Sequence, residues 1–291
     1  MRVGLAGTGH WAQIVHAPAL SSTAGITLAG VWGRNEQAAA ALAESHHCVR
    51  FRTFEQMLAE VDAVEFSMPP DVQASLALQA AAAGKHLLLE KPVATSLDAA
   101  DALVEAVGQA GVESVVFFTG RFQPDVRAWL ASAAGDRWTG AQAVWLGSAM
   151  AEDSPFNTPW RRQKGGLWDL APHLVSLLWA SLGPVRAVTA DAGPGDVTHL
   201  ILHHAGGASS AVTVTLNAPE VSDGMELWLW GEAGRSHAPG PTADPVGALR
   251  LALTELAANA SAGRQRHDCD AAFGRDVVAV LAEAQRQLEA R

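Results

Sequence analysis

Residues 3–12 read VGLAGTGHWA, an apolar run that meets a glycine turn and passes into a helix-forming stretch. The turn is GxGxxA, with Gly7, Gly9 and Ala12 at its small positions. In this strand-to-helix setting Gly7 permits a tight corner. Gly9 lacks the Cβ that would hold the backbone away from a pyrophosphate, and Ala12 lets the helix pack against the strand. The helix N-terminus supplies amide donors and a dipole that favours an anion. Gly7, Thr8, Gly9, His10 and Trp11 are therefore the residues expected to meet a dinucleotide.

Short apolar runs at 2–6, 27–32, 49–52, 63–67, 86–90 and 114–118 alternate with Ala-rich stretches at 12–20, 36–46, 53–59, 72–83 and 96–110. That βαβα rhythm predicts an α/β fold whose doubly wound parallel sheet is covered on both faces. Asn35 and Asp71 are expected to cap the helices that follow them, and Gly84 to end one. The rhythm breaks after about residue 122. A helix-like block at 168–182 is followed by strand-like runs at 185–191, 198–204, 209–216 and 226–230, joined by turns such as HHAGGASS. Two helices, 245–262 and 269–290, end the chain. The expected domains are a Rossmann domain at 1–120 and an α+β domain with a mostly antiparallel sheet at 121–291.

The 291-residue length suits two domains. A net charge of −10 offers no basic field for nucleic acid or an anionic membrane. The N-terminus lacks a signal-like apolar core and no apolar run reaches a span's length, so a cytoplasmic protein is expected. Cys48 and Cys269 share no ligand-like spacing, and no metal site is expected. In MELWLWGEAG, Met225, Leu227 and Leu229 alternate with Glu226, Trp228 and Trp230, so both faces of that strand need cover. Either the terminal helices cover the tryptophans, or a second subunit does, giving a homo-oligomer, dimer or tetramer, through the C-terminal sheet.

The tip of the second strand selects the dinucleotide. An acid there would hold the ribose of NAD; this chain has Gly33, Arg34 and Asn35. Arg34 can pair with a 2'-phosphate, with room left by Gly33, which favours NADP. The alternative is that Arg34 is solvated and Glu36 holds the ribose of NAD.

Of the 20 basic residues only Lys85, Lys91 and Lys164 are lysines, and two of them lie in GKHLLLEKPVA. Lys91 is the first residue past the strand at 86–90, at the sheet end where ligands bind in doubly wound folds. Pro92 disfavours helical torsions at Lys91 and offers a cis option. Further on, KGGLWDLAPHL puts Asp169 and His173 four apart, on one face if helical. Pro172 requires that helix to begin within a residue or two of Asp169. Read alone, Asp169 could be a cap and His173 a packed histidine.

GTGHWA, then VDAVEFSMPP and AGKHLLLEKPVA, then GGLWDLAPH, in that order, resemble the Gfo/Idh/MocA oxidoreductases, and FGRDVVAVLAEAQ is similar to the family's last helix. The resemblance implies a Rossmann domain followed by an open-faced sheet domain. It implies an NAD(P)-dependent enzyme that moves hydride between nicotinamide and a secondary alcohol or ketone, of a sugar, cyclitol or related polyol as small-molecule substrate. Ser67, Pro69, Glu90 and Lys91 fall on its cofactor side. Lys91, Asp169 and His173 fall at its catalytic positions: His173 as acid or base, Asp169 orienting it, Lys91 polarising the substrate oxygen. Arg121, Trp160 and Arg161 join Lys91, Asp169 and His173 on its substrate side. Gln73 stands where the family commonly has a histidine. Two rivals are a redox-neutral lyase or glycosidase using the same cofactor and a non-catalytic dinucleotide sensor.

Overall fold

The computed structural model describes residues 1–232, 234–241, 243–263 and 266–290. From the N-terminus the elements are β1 (Arg2–Ala6), a one-turn π-helix (Ala12–His16) running into α1 (Ala17–Ser22), β2 (Thr27–Trp32), α2 (Glu36–Ser45), β3 (Val49–Arg50), α3 (Phe54–Glu60), β4 (Ala63–Phe66), α4 (Pro70–Ala82), β5 (His86–Glu90), α5 (Leu97–Ala110) and β6 (Ser114–Phe117). There follow α6 (Pro124–Ala133), β7 (Trp138–Leu146), α7 (Pro159–Asp169), α8 (Ala171–Leu182), β8 (Val185–Ala192), β9 (Thr198–His204), β10 (Ser209–Thr215), β11 (Gly224–Gly231), β12 (Gly234–His237), α9 (Pro245–Ala262) and α10 (Ala271–Glu289).

Two compact units emerge: residues 1–122 with 244–276, and residues 123–243 with 277–291. The division is therefore not a single cut near residue 120. Helix α9, expected in the second domain, belongs to the first unit and buries Leu249, Leu253 and Leu256 there.

In the first unit β3-β2-β1-β4-β5-β6 form one sheet in which every pair is parallel. This is the doubly wound order with its reversal at β1/β4, the crevice position for ligands. Strands β4 and β6 are buried along their whole length, as expected where helices cover both faces. Asn35 caps α2 through the Ala38 amide, Thr53 caps α3, and Ser96 caps α5. Asp71 is not a cap. Pro69 occupies that position and Pro70 opens α4, leaving Asp71 in the first turn, where a carboxylate suits the dipole.

The second unit holds the sheet β12-β11-β7-β10-β9-β8, antiparallel except for β7 against β10. The predicted block at 168–182 is two helices, and α8 begins at Ala171, two residues past Asp169. One sheet face, with Leu200, Leu202, Val212, Leu227 and Leu229 fully buried or nearly so, is covered by apolar residues of α8 and the second half of α10. From α10, Gln287 bonds the backbone of Ala190 and Val188 in β8. The helices thus cover the leucine side. On the other side Trp230 is 37% and Ile201 42% exposed.

Candidate active site

The dinucleotide turn forms as expected. Gly7 sits at φ 139°, and a Cβ on it would run into the Ser67 carbonyl oxygen, so the turn and the loop after β4 touch backbone to backbone. Gly9 faces open space, with nothing within 4 Å of where a Cβ would stand. Thr8 is half-buried, His10 exposed, and Pro69 exposed on the neighbouring loop. Open space over Gly9 beside a helix start fits a pyrophosphate.

The space beside Gly33 is not empty: the Thr8 side chain fills it, 2.7 Å from a would-be Cβ. Gly33 is small because the two loops pack together. Arg34 is exposed beyond it, and Asn35 spends its side chain on the α2 cap. Glu36 is held by Arg50 at 2.7 Å.

At the end of β5, Lys91 is half-buried and its bond to Pro92 is cis. Gln73 is fully buried: Nε2 donates to the Glu90 carbonyl at 2.7 Å, and Oε1 accepts the Glu90 amide at 2.8 Å. Its amide thus grips the backbone just before Lys91, which gives this departure from the family pattern a clear local role.

The Glu90 carboxylate, expected to meet cofactor, takes protein partners. Oε1 accepts from Trp11 Nε1 at 3.1 Å and lies 3.1 Å from His16 Nε2, while Oε2 accepts the Lys91 amide at 3.1 Å. His16 is 1% exposed and its other nitrogen lies 2.6 Å from Oε1 of Glu65, itself fully buried in β4. Sequence reading missed this cluster. Its one visible signal was an acid inside a strand otherwise buried and apolar.

Each ring nitrogen of His16 faces a carboxyl oxygen, so each link needs a proton between its two atoms. Burial by itself pulls His16 down, but its hydrogen bonds to Glu65 and Glu90 and their charges outweigh it and raise the ring to about 9. Burial raises Glu65, against the opposing pull of His16. The three groups share their protons in one buried cluster beneath the Lys91 turn.

The other lysines are accounted for locally. Lys85 donates to the Val61 carbonyl at 2.9 Å, and Lys164 stands over the Trp168 ring at 5.1 Å. Arg121 lies in a 3-10 turn after β6 with its guanidinium 5.7 Å from the Phe273 ring centre, within the first unit.

In the second unit Asp169 ends α7, 5% exposed, and is not a helix cap. Arg161 forks onto it, Nε to Oδ2 at 2.7 Å and Nη2 to Oδ1 at 3.4 Å, while stacking near the rings of Phe156 and Trp160. Trp160 Nε1 is a buried donor with no acceptor among the described residues. His173, in the first turn of α8, is half-buried with its ring 5.4 Å from that of Trp145 in β7. Between these groups Gly165, at φ 62°, breaks α7. Asp196 holds the break, accepting from the Gly166 and Leu216 amides and the Thr215 hydroxyl. A cavity of about 340 Å³ lies here, lined among others by Asn157, Arg161, Arg162, Asp196 and Asn217. Among the described residues no cluster could hold a metal, and no helix is long and apolar enough to cross a membrane.

Comparison with known proteins agrees with this fold. Residues 1–118 match the oxidoreductase family with an NAD-binding Rossmann fold, and residues 125–237 the GFO/IDH/MocA C-terminal domain. A UDP-N-acetylglucosamine 3-dehydrogenase of Acidithiobacillus ferrooxidans is 38% identical over 36% of this chain and 32% of its own. Inositol 2-dehydrogenase of Rhizobium meliloti is 29% identical over 73% of this chain and 68% of its own. Three curated relatives are matched over only 54%, 32% and 35% of their lengths. In structure, the Acidithiobacillus enzyme superposes with a TM-score of 0.84 at 22% identity, covering all of this chain and 98% of the other. Two family models that follow one another along most of the sequence, on a fold shared end to end, place this chain in the Gfo/Idh/MocA family of oxidoreductases.

Proposed function

We propose that the chain is an NAD(P)-dependent dehydrogenase or reductase acting on a secondary alcohol or ketone of a sugar or cyclitol. The observation that carries the reading is the Lys91 turn. A lysine at the carboxyl end of β5 is braced by Gln73 on its backbone and by the Glu90 carboxylate on its amide. The relatives' names supply the substrate class, and a cavity lined by amides and guanidiniums suits a polyhydroxylated ligand.

A bound nicotinamide would supply the hydride acceptor or donor. In the oxidative direction the carbinol C–H leaves as hydride and the hydroxyl proton must leave separately. His173 takes that proton, and the Lys91 ammonium steadies the charge growing on oxygen. The Arg161 fork holds the Asp169 carboxylate in place at the end of α7, two residues before α8. A panel of polyols and ketones with each nicotinamide, followed by absorbance, tests the activity. No turnover on any member would count against the substrate class.

NADP is the preferred cofactor. Glu36 is engaged by Arg50, whereas Arg34 is exposed at the tip of β2, where a 2'-phosphate would lie. Arg34→Ala should weaken NADPH binding about tenfold or more while changing NADH less than about twofold, the loss of one charge-assisted contact. Equal losses in fluorescence titrations would favour NAD.

The free side of the second sheet fits a second copy of this chain. Trp230 packs over Gly140 on the same side as exposed Ile201, among the polar side chains of Gln142, His199, His203 and Thr213, and a large aromatic set in a polar surround is a usual anchor of a subunit interface. Trp230→Glu should shift the sedimentation coefficient to that of the monomer. A wild-type monomer would refute the interface. Neither Cys48 nor Cys269 forms a disulfide, as suits the reducing cytoplasm proposed for it.

A further inference from the structure

We propose that His16 is a positioning residue for Lys91: clamped between Glu65 and Glu90, it locks the Glu90 carboxylate against the Lys91 amide and so fixes the backbone from which the lysine side chain leaves. The inference rests on the reading that Lys91 acts at the substrate.

The links are contiguous. Glu65 lies in the middle of the sheet on β4, His16 on the one-turn π-helix after the dinucleotide turn, and Glu90 at the last position of β5. His16 reaches both carboxylates, at 2.6 and 3.1 Å, and Glu90 passes the constraint to the Lys91 amide at 3.1 Å. Trp11 donates to the same Glu90 oxygen as His16, so the dinucleotide turn and the lysine turn share one acceptor.

The π-turn itself points to the cluster. A single π-turn inside an α-helix costs hydrogen-bond geometry and recurs at functional sites, and here His16 closes it. Apolar groups also line it: the Phe117 ring stands edge-on at 6.3 Å, and α9, which packs on this turn, buries Ala and Leu side chains. Glu65 and Glu90 are the ionisable groups that act on His16.

A purely structural ion cluster in such a place could be exchanged for neutral groups at little cost to stability. The Glu65 oxygen Oε2, buried with no partner among the described residues, already makes this cluster a poor stabiliser. Its arrangement is better explained by what it orients.

The test uses the full chain and the fact that it has only three lysines. His16→Gln/Glu65→Gln replaces both groups of the short link by neutral amides together, while Glu90 keeps its bonds to Trp11 and to the Lys91 amide. Wild type and variant are acetylated with an N-hydroxysuccinimide ester, and the rates at Lys85, Lys91 and Lys164 are read by mass spectrometry, with no substrate needed. The expected result is a change of about threefold or more at Lys91 with Lys85 and Lys164 unchanged. On a substrate found by the panel, kcat should fall about tenfold or more, with KM and NADPH affinity within about threefold.

Wild-type labelling at Lys91 together with wild-type kcat would overturn the proposal. If Lys91→Ala keeps full turnover, the catalytic reading fails by itself, and the labelling arm still decides whether His16 positions Lys91. Should the double variant fold poorly, Glu65→Gln alone should move Lys91 labelling and kcat in the same sense by less. No change there would overturn the proposal equally.

Discussion

Lys91→Ala is expected to lower kcat by about 10²–10⁴-fold, the range typical of losing a group that moves a proton or steadies developing charge. The effect should fall on kcat, because a cation facing the substrate oxygen interacts most strongly when that oxygen carries charge in the transition state. Glu90, Gln73 and the Gly7 turn remain, so NADPH affinity should stay within about threefold. His173→Ala should cost a similar factor and change the pH profile as well, since the proton must then leave by another route. If either variant kept wild-type kcat on a validated substrate, that residue's role in the mechanism would be wrong. Loss of NADPH binding in Lys91→Ala would instead mark the lysine as a cofactor contact.

The first unit was legible because its physics is local. Strands buried on both faces read as apolar runs, helices start at Asn35, Thr53 and Ser96, and the glycine turn has a fixed spacing. The second was less so. Strand β7 places Ala141 and Ala143 on its buried face against Gln142 and Val144, so small residues where large ones would mark the core erase the alternation. Strand β12 is four residues of GRSH, with no apolar signal at all. Helix α9 was recognised as a helix, but nothing in an amphipathic stretch says which sheet it will join.

In the site, single positions were readable and pairings were not. The motifs singled out Lys91, Asp169 and His173. That Arg161 reaches Asp169 depends on the Gly165 break in α7. That His16 reaches both Glu65 and Glu90 depends on strand order β1-β4-β5 and on a π-turn. Such contacts join residues 49 and 74 positions apart, and only the assembled sheet brings them together.

Two glycines of the first turn should separate folding from binding. Gly7→Ala places a Cβ against the Ser67 carbonyl at a φ of 139°, so it adds backbone strain to a clash with backbone that cannot rotate away. Strain of this kind costs about 1–3 kcal/mol and overpacking about as much again. A loss of about 3–5 kcal/mol is expected, or roughly 10 °C in Tm for a unit of this size. Gly9→Ala meets nothing within 4 Å and should leave Tm within about 2 °C, since surface changes away from such features are nearly neutral. Its methyl group would instead occupy the space proposed for the pyrophosphate, so NADPH affinity should fall about tenfold or more. Thermal unfolding and fluorescence titration of both variants decide the matter. If Gly9→Ala binds NADPH as wild type does, the pyrophosphate does not lie over this turn. If Gly7→Ala melts with wild type, the contact between the turn and the loop after β4 is not the constraint that fixes glycine there.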